Sequence, residues 1–125
     1  MELELVDFET AKLLKEKRFD QKITSVGYST DTKELSYDFP IDLINGKGVA
    51  APTLSLVCKW LRDVHEIDLN IDPEQYMGTR WYEVYVGDIG NVGNGNWIEV
   101  NEEAITFNTY EQAQAAGIKE ALKLI

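Results

Sequence analysis

The chain has one cysteine, Cys58, and one histidine, His65. It also lacks any apolar run near the ~20 residues needed to span a bilayer. A lone cysteine closes no intramolecular disulfide, so nothing points to an oxidising compartment. The start, MELELVDFET, is acidic and has no basic segment followed by an apolar one, so we expect no signal peptide. Together these absences imply a cytoplasmic protein with no membrane association. Bases are scarce in one region: residues 63–118 hold eleven acids against Arg80 alone, which accounts for the whole net charge of −10. Such a surface repels a phosphate backbone, so no direct nucleic-acid binding is expected. Five of the bases cluster instead in KLLKEKRFDQK, residues 12–22.

What remains is ordinary for a globular protein. The 125 residues are 44% hydrophobic and 27% charged, enough for a real core in a single domain, residues 1–125. Three helices are predicted. The first, about Asp7 to Lys17, starts on Asp7 as N-cap, with Val6 and Ala11 as a hydrophobic staple. Its apolar stripe is Val6, Thr10, Leu13 and Leu14. The second, about Pro52 to His65, places Pro52 at the first helical position. Leu54, Leu56, Val57, Trp60, Leu61 and Val64 form its apolar arc. The third, about Tyr110 to Leu124, opens with a Thr109–Gln112 capping box and carries Ala113, Gly117 and Ala121 as a small-residue line suited to close packing.

Between them lie strand-like runs. KITSVGYST and KELSYDF form a hairpin across DTK. EIDLNID alternates apolar and polar residues, RWYEVYV is aromatic and β-branched, and NWIEV and EEAITF follow. The order α-β-β-α-β-β-β-β-α predicts an α+β fold: one antiparallel sheet with helices mainly on one face. INGKGVAAP, residues 44–52, is expected to be a loop.

Cys58 and His65 invite a catalytic or metal-binding reading. Seven residues apart on a helix, they are ~20° apart around the axis but ~10 Å apart along it. A dyad needs the two groups within ~3.2 Å of each other, and no further Cys or His completes a zinc site. DLNIDPEQYMGT starts like a calcium loop but has Pro73 where glycine belongs and Thr79 where glutamate belongs. No cofactor, metal ligand or catalytic residue is assigned. GDIGNVGNGN, residues 87–96, is neither a P-loop nor a dinucleotide fingerprint, and Asn94-Gly95 signals a hairpin turn. With its neighbouring aromatics this loop supplies the candidate partner surface: Trp81, Tyr85, Asn91, Asn94 and Trp97.

FETAKLLKEKRF, APTLSLVCKWLRDVHEI and FNTYEQAQAAGIKEALKLI together resemble a family of small proteins of Bacteroides-like bacteria, their phages and prophages. The stretches make up less than half of the chain. Where the family type has glycine, this chain has Arg18 before Phe19. The family has no assigned activity to carry over, so the resemblance implies only a cytosolic mobile-element accessory protein.

The leading expectation is a non-enzymatic protein-binding or regulatory module with a protein partner. The alternative is an acidic DNA mimic that inhibits a nucleic-acid-binding protein. An enzyme using paired carboxylates ranks third, since no pair stands out. A monomer or weak homodimer is expected.

Overall fold

The structure is a computed structural model that describes residues 4–23, 26–36, 46–88, 97–99 and 107–125. The chain is α+β. It divides into two compact units, Met1–Leu56 and Val57–Ile125, with the boundary in the first turn of a helix. The described strands form two three-stranded antiparallel sheets, one in each unit, and not the one continuous sheet expected.

In the first unit, helix α1 (Phe8–Glu16) begins where Asp7 Oδ1 accepts a hydrogen bond from the Thr10 amide at 2.8 Å. The staple residues Val6 and Ala11 are buried, as are Thr10 and Leu14, while Leu13 is exposed. Lys17 caps the C-terminus, and Arg18 follows in the left-handed region with φ 69°. The Arg18 amide donates to Lys15 O at 3.1 Å and the Phe19 amide to Leu14 O at 2.9 Å. This is the Schellman arrangement, completed by apolar Phe19 and Leu14, both buried. Glycine is the default residue at the left-handed position, because it has no Cβ to crowd the carbonyl.

Strands β1 (Gly27–Ser29) and β2 (Leu35–Ser36) form the expected hairpin in shortened form. Strand β3 (Gly48–Ala50) pairs on the other side of β1. It lies within the stretch expected to be a loop. Gly46 and Gly48 suggested a loop, but Val49, Ala50 and Ala51 are fully enclosed. Buried amides need partners: Ala50 N donates to Gln21 Oε1 at 2.7 Å and Ala51 N to Val26 O at 3.0 Å. Lys15 Nζ donates to Gly48 O at 3.3 Å, fastening α1 over β3.

Helix α2 (Leu54–His65) starts two residues later than Pro52 suggested. Thr53 Oγ1 accepts from the Leu56 amide at 3.2 Å and so acts as the cap, while Pro52 O accepts from the Val6 amide at 3.0 Å. Leu54, Val57 and Leu61 are buried, whereas Val64, in the same arc, is 61% exposed.

The second unit is organised by strands β4 (Ile67–Tyr76) and β5 (Thr79–Asp88), which pair along their whole length across a two-residue turn. Strand β6 (Trp97–Glu99) pairs with β5 on the other side. The stretch that begins like a calcium loop is therefore strand and turn. β4 runs through Pro73 without losing a ladder bond. Tyr82, opposite Pro73, sends its amide the other way, to Phe107 O at 2.8 Å. Pro73 and Tyr82 are thus a non-hydrogen-bonded pair, and the missing N–H of Pro73 faces the outer side of β4. Of the expected EEAITF strand, only Phe107 lies among the described residues.

Helix α3 (Tyr110–Leu122) covers one face of this hairpin. Thr109 caps it as expected, with Gln112 N donating to Thr109 Oγ1 at 3.1 Å, while the return bond lands one residue earlier than in a capping box, Asn108 N donating to Gln112 Oε1 at 3.1 Å. Ala113, Gly117 and Ala121 are all buried. A Cβ on Gly117 would lie 2.5 Å from Leu69 Cδ2 and 2.8 Å from Val84 Cγ2. The helix approaches the strands this closely because glycine stands there.

Candidate functional site

The β4–β5 register sorts the hairpin into two faces. Leu69 lies opposite Val86 and Ile71 opposite Val84. These residues face α3, and Val84 and Val86 are fully buried. Tyr82 belongs to the same face and meets Tyr110 of α3 edge-on, with ring centroids 6.2 Å apart.

Alternation puts Trp81, Glu83 and Tyr85 on the other face, all half-buried. Glu83 joins the two aromatics. Trp81 Nε1 donates to Glu83 Oε1 at 3.3 Å, and Tyr85 OH donates to Glu83 Oε2 at 3.1 Å. One carboxylate thus orients two large aromatic side chains in a row. Across the ladder, Glu74 stands opposite Trp81, Asp72 opposite Glu83, Asn70 opposite Tyr85, and Asp68 opposite Gly87. Asp72 and Glu83 are like charges in directly opposed positions, an arrangement that destabilises a sheet. Neither strand offers a base to this face: Arg80, the one base in the hairpin, pairs with Gln75 on the alternate face.

Of the five expected surface residues, the structure brings Trp81 and Tyr85 together. The register places Trp97 opposite Gly87 and Glu99 opposite Tyr85. Asn91 and Asn94 lie outside the described residues, as does most of the glycine–asparagine loop. Glu83, which joins Trp81 and Tyr85, is not among the five expected residues. Its signal was there, an acid midway between two aromatics at strand spacing, but that pattern also fits a solvated strand face.

Cys58 and His65 are engaged by different neighbours. Gln114 Nε2 donates to Cys58 Sγ at 3.4 Å. Burial pushes the Cys58 thiol up from its ordinary value; the Gln114 hydrogen bond opposes this, the Asp68 carboxylate adds to it and the Arg62 guanidinium opposes it. His65 meets the Trp60 ring edge-on at 4.7 Å, and its Nε2 is enclosed without a hydrogen-bond partner among the described residues. Among those residues, no group of three or more His, Cys, Asp or Glu side chains is placed to hold a metal ion, and no helix is long and apolar enough to cross a membrane. No family model, curated protein or solved structure matches the chain.

Proposed function

We propose that the chain is a non-enzymatic protein-binding module that docks a basic partner on the Trp81–Glu83–Tyr85 face of the β4–β5 hairpin. The observation that carries this reading is the opposed Asp72–Glu83 pair on a face where the two aromatics are aligned and neither β4 nor β5 supplies a base. Like charges placed across a ladder work against the fold. Sequence features that oppose folding concentrate where function requires them. A lysine or arginine from a partner would relieve the repulsion, and Trp81 and Tyr85 would supply contact area and cation–π attraction. An accessory role of phage or prophage type, in the cytoplasm, is supported by the resemblance of the three helical stretches.

The test is affinity capture from a host lysate with the wild-type chain and with Trp81→Ala, Tyr85→Ala and Trp97→Ala. The reading expects a protein retained by the wild type and weakened by these substitutions. Undiminished capture by all three would remove the proposed surface.

The same face favours a second reading, the acidic DNA mimic, since Asp68, Asp72, Glu74 and Glu83 share it. A mimic would compete with duplex DNA for its target and lose affinity steeply with salt. Competition that survives Trp81→Ala and Tyr85→Ala but not Asp72→Asn with Glu83→Gln would favour the mimic over the aromatic docking surface. Sedimentation equilibrium at low and high salt decides between the proposed monomer and a weak homodimer.

A further inference from the structure

β4 and β5 close at the pair Tyr76–Thr79, so Met77 and Gly78 alone make the turn. Both have positive φ, 49° and 82°. Two successive left-handed residues mark a type I′ turn, whose twist matches that of the strands it joins. Gly78 takes this conformation freely, and its Cβ position is open space. Met77 does not. The first turn position favours Asn, Asp or Gly, and the thioether side chain forms no local hydrogen bond that would offset the crowding. Packing does not compensate either. Met77 is 86% exposed and Tyr76 is 68% exposed, the two most exposed large apolar residues among those described. Strain and uncovered apolar surface both weaken the free chain, and the fold gives neither a purpose.

The arms of the hairpin indicate what covers the tip. Tyr76 stands on the same face as Asp72, Glu74 and Glu83. An anionic membrane surface is repelled by these groups and by the net charge of −10. Two tips meeting from two copies would bring the same carboxylates together. A protein cleft with an apolar floor and a rim of lysine or arginine matches both the tip and its flanks. We propose that Tyr76 and Met77 form the anchor of a protein–protein contact and insert into such a cleft. The cleft belongs to the partner that docks on the Trp81–Glu83–Tyr85 face, so the proposal rests on that docking reading. An unbranched, polarisable methionine adapts to an irregular pocket, and tyrosine adds area with few rotatable bonds.

Met77→Asn separates anchoring from folding. Asn-Gly is a preferred type I′ pair, so this variant relieves the turn while deleting the anchor. Its melting temperature should rise, by about 3–6 °C. The photo-crosslinking residue p-benzoylphenylalanine is placed at position 77, 81 or 124 of the full chain, and the cells that express it are irradiated. Positions 77 and 81 are expected to trap the same protein and position 124, exposed on the C-terminal side of α3, to trap none. That protein, once identified and purified, should bind Met77→Asn roughly tenfold or more weakly than wild type. Trapping at 81 but not at 77, or unchanged affinity for Met77→Asn, overturns the anchor and leaves the docking face standing. Trapping at neither position overturns both. An adduct at 77 with lipid, or with a second copy of the chain, overturns the assigned occupant. A lower melting temperature for Met77→Asn overturns the strain argument.

Discussion

The two faces of the β4–β5 hairpin are made from alternate residues of the same strands, yet they differ in what completes them. On one, Leu69, Ile71, Val84 and Val86 are closed over by α3, with Gly117 admitting the helix to van der Waals distance. On the other, Trp81, Glu83 and Tyr85 hold one another in place and stand across from Glu74, Asp72 and Asn70. The first face gains from burial, which is non-directional and strong. The second keeps its charges half-buried and unmatched within the hairpin. The difference teaches that strand alternation sorts this hairpin into one set of residues that is packed under α3 and another that gathers carboxylates and aromatics on the opposite side.

Substitutions on the two faces should therefore differ in size and in sign. The largest effect is expected from Gly117→Val on the covered side. The new side chain would overlap Leu69 and Val84 and force the helix outward, lowering stability by ~3 kcal/mol or more in urea unfolding. A loss below ~1 kcal/mol would show that α3 is not held as tightly as the Gly117 contacts imply. Next is Val84→Ala, which removes two buried methyl groups and leaves a void under α3. A loss of ~2 kcal/mol is expected from transfer and cavity terms together. If it were neutral, the burial argument for this face would fail.

Glu83→Gln tests the other face and should be nearly silent in folding. It removes the repulsion from Asp72 while keeping an acceptor for Trp81 or Tyr85, so stability should stay within ~0.5 kcal/mol or rise slightly. Its partner affinity should fall. A marked loss of stability would assign Glu83 to the fold and blunt the contrast between faces. The smallest effect concerns Cys58, hydrogen-bonded by Gln114 of α3. Because burial holds its thiol above the ordinary value, little thiolate forms near neutral pH. Alkylation by iodoacetamide at pH 7.5 should be slower in the native protein than after unfolding in urea. Equal rates would mean that α3 does not shield this position.

Much of this architecture is legible where the determinants are local. Asp7 and Thr109 cap their helices because a side-chain oxygen three residues before an amide is a short-range relation. The small line Ala113, Gly117, Ala121 announces close packing for the same reason. Non-local facts are harder to read. The alternation of EIDLNID stops at Asp72, and only the ladder register shows that the strand continues through Pro73 with its missing amide facing outward. Met77 is not a turn residue by habit, so the tight hairpin through Met77-Gly78 was hidden. Glycines around Lys47 suggested a loop, whereas β3 is set by burial of Val49 and Ala50 against partners far along the chain. Val64 lies at the right angle for the core yet is exposed, since periodicity fixes direction around a helix and not how far the facing layer extends. In the candidate site, Trp81 and Tyr85 followed from alternation. The shared carboxylate of Glu83 and the opposed Asp72 required the register.

The most direct test of the division between faces is hydroxyl-radical footprinting of the chain, free and in complex with the captured partner. Trp81 and Tyr85 should lose reactivity on binding, while Tyr110, 46% exposed on α3, should react equally in both states. Protection of Tyr110 with Trp81 and Tyr85 unchanged would contradict the account, for it would place the partner on α3 and leave the acidic aromatic face without a role in recognition.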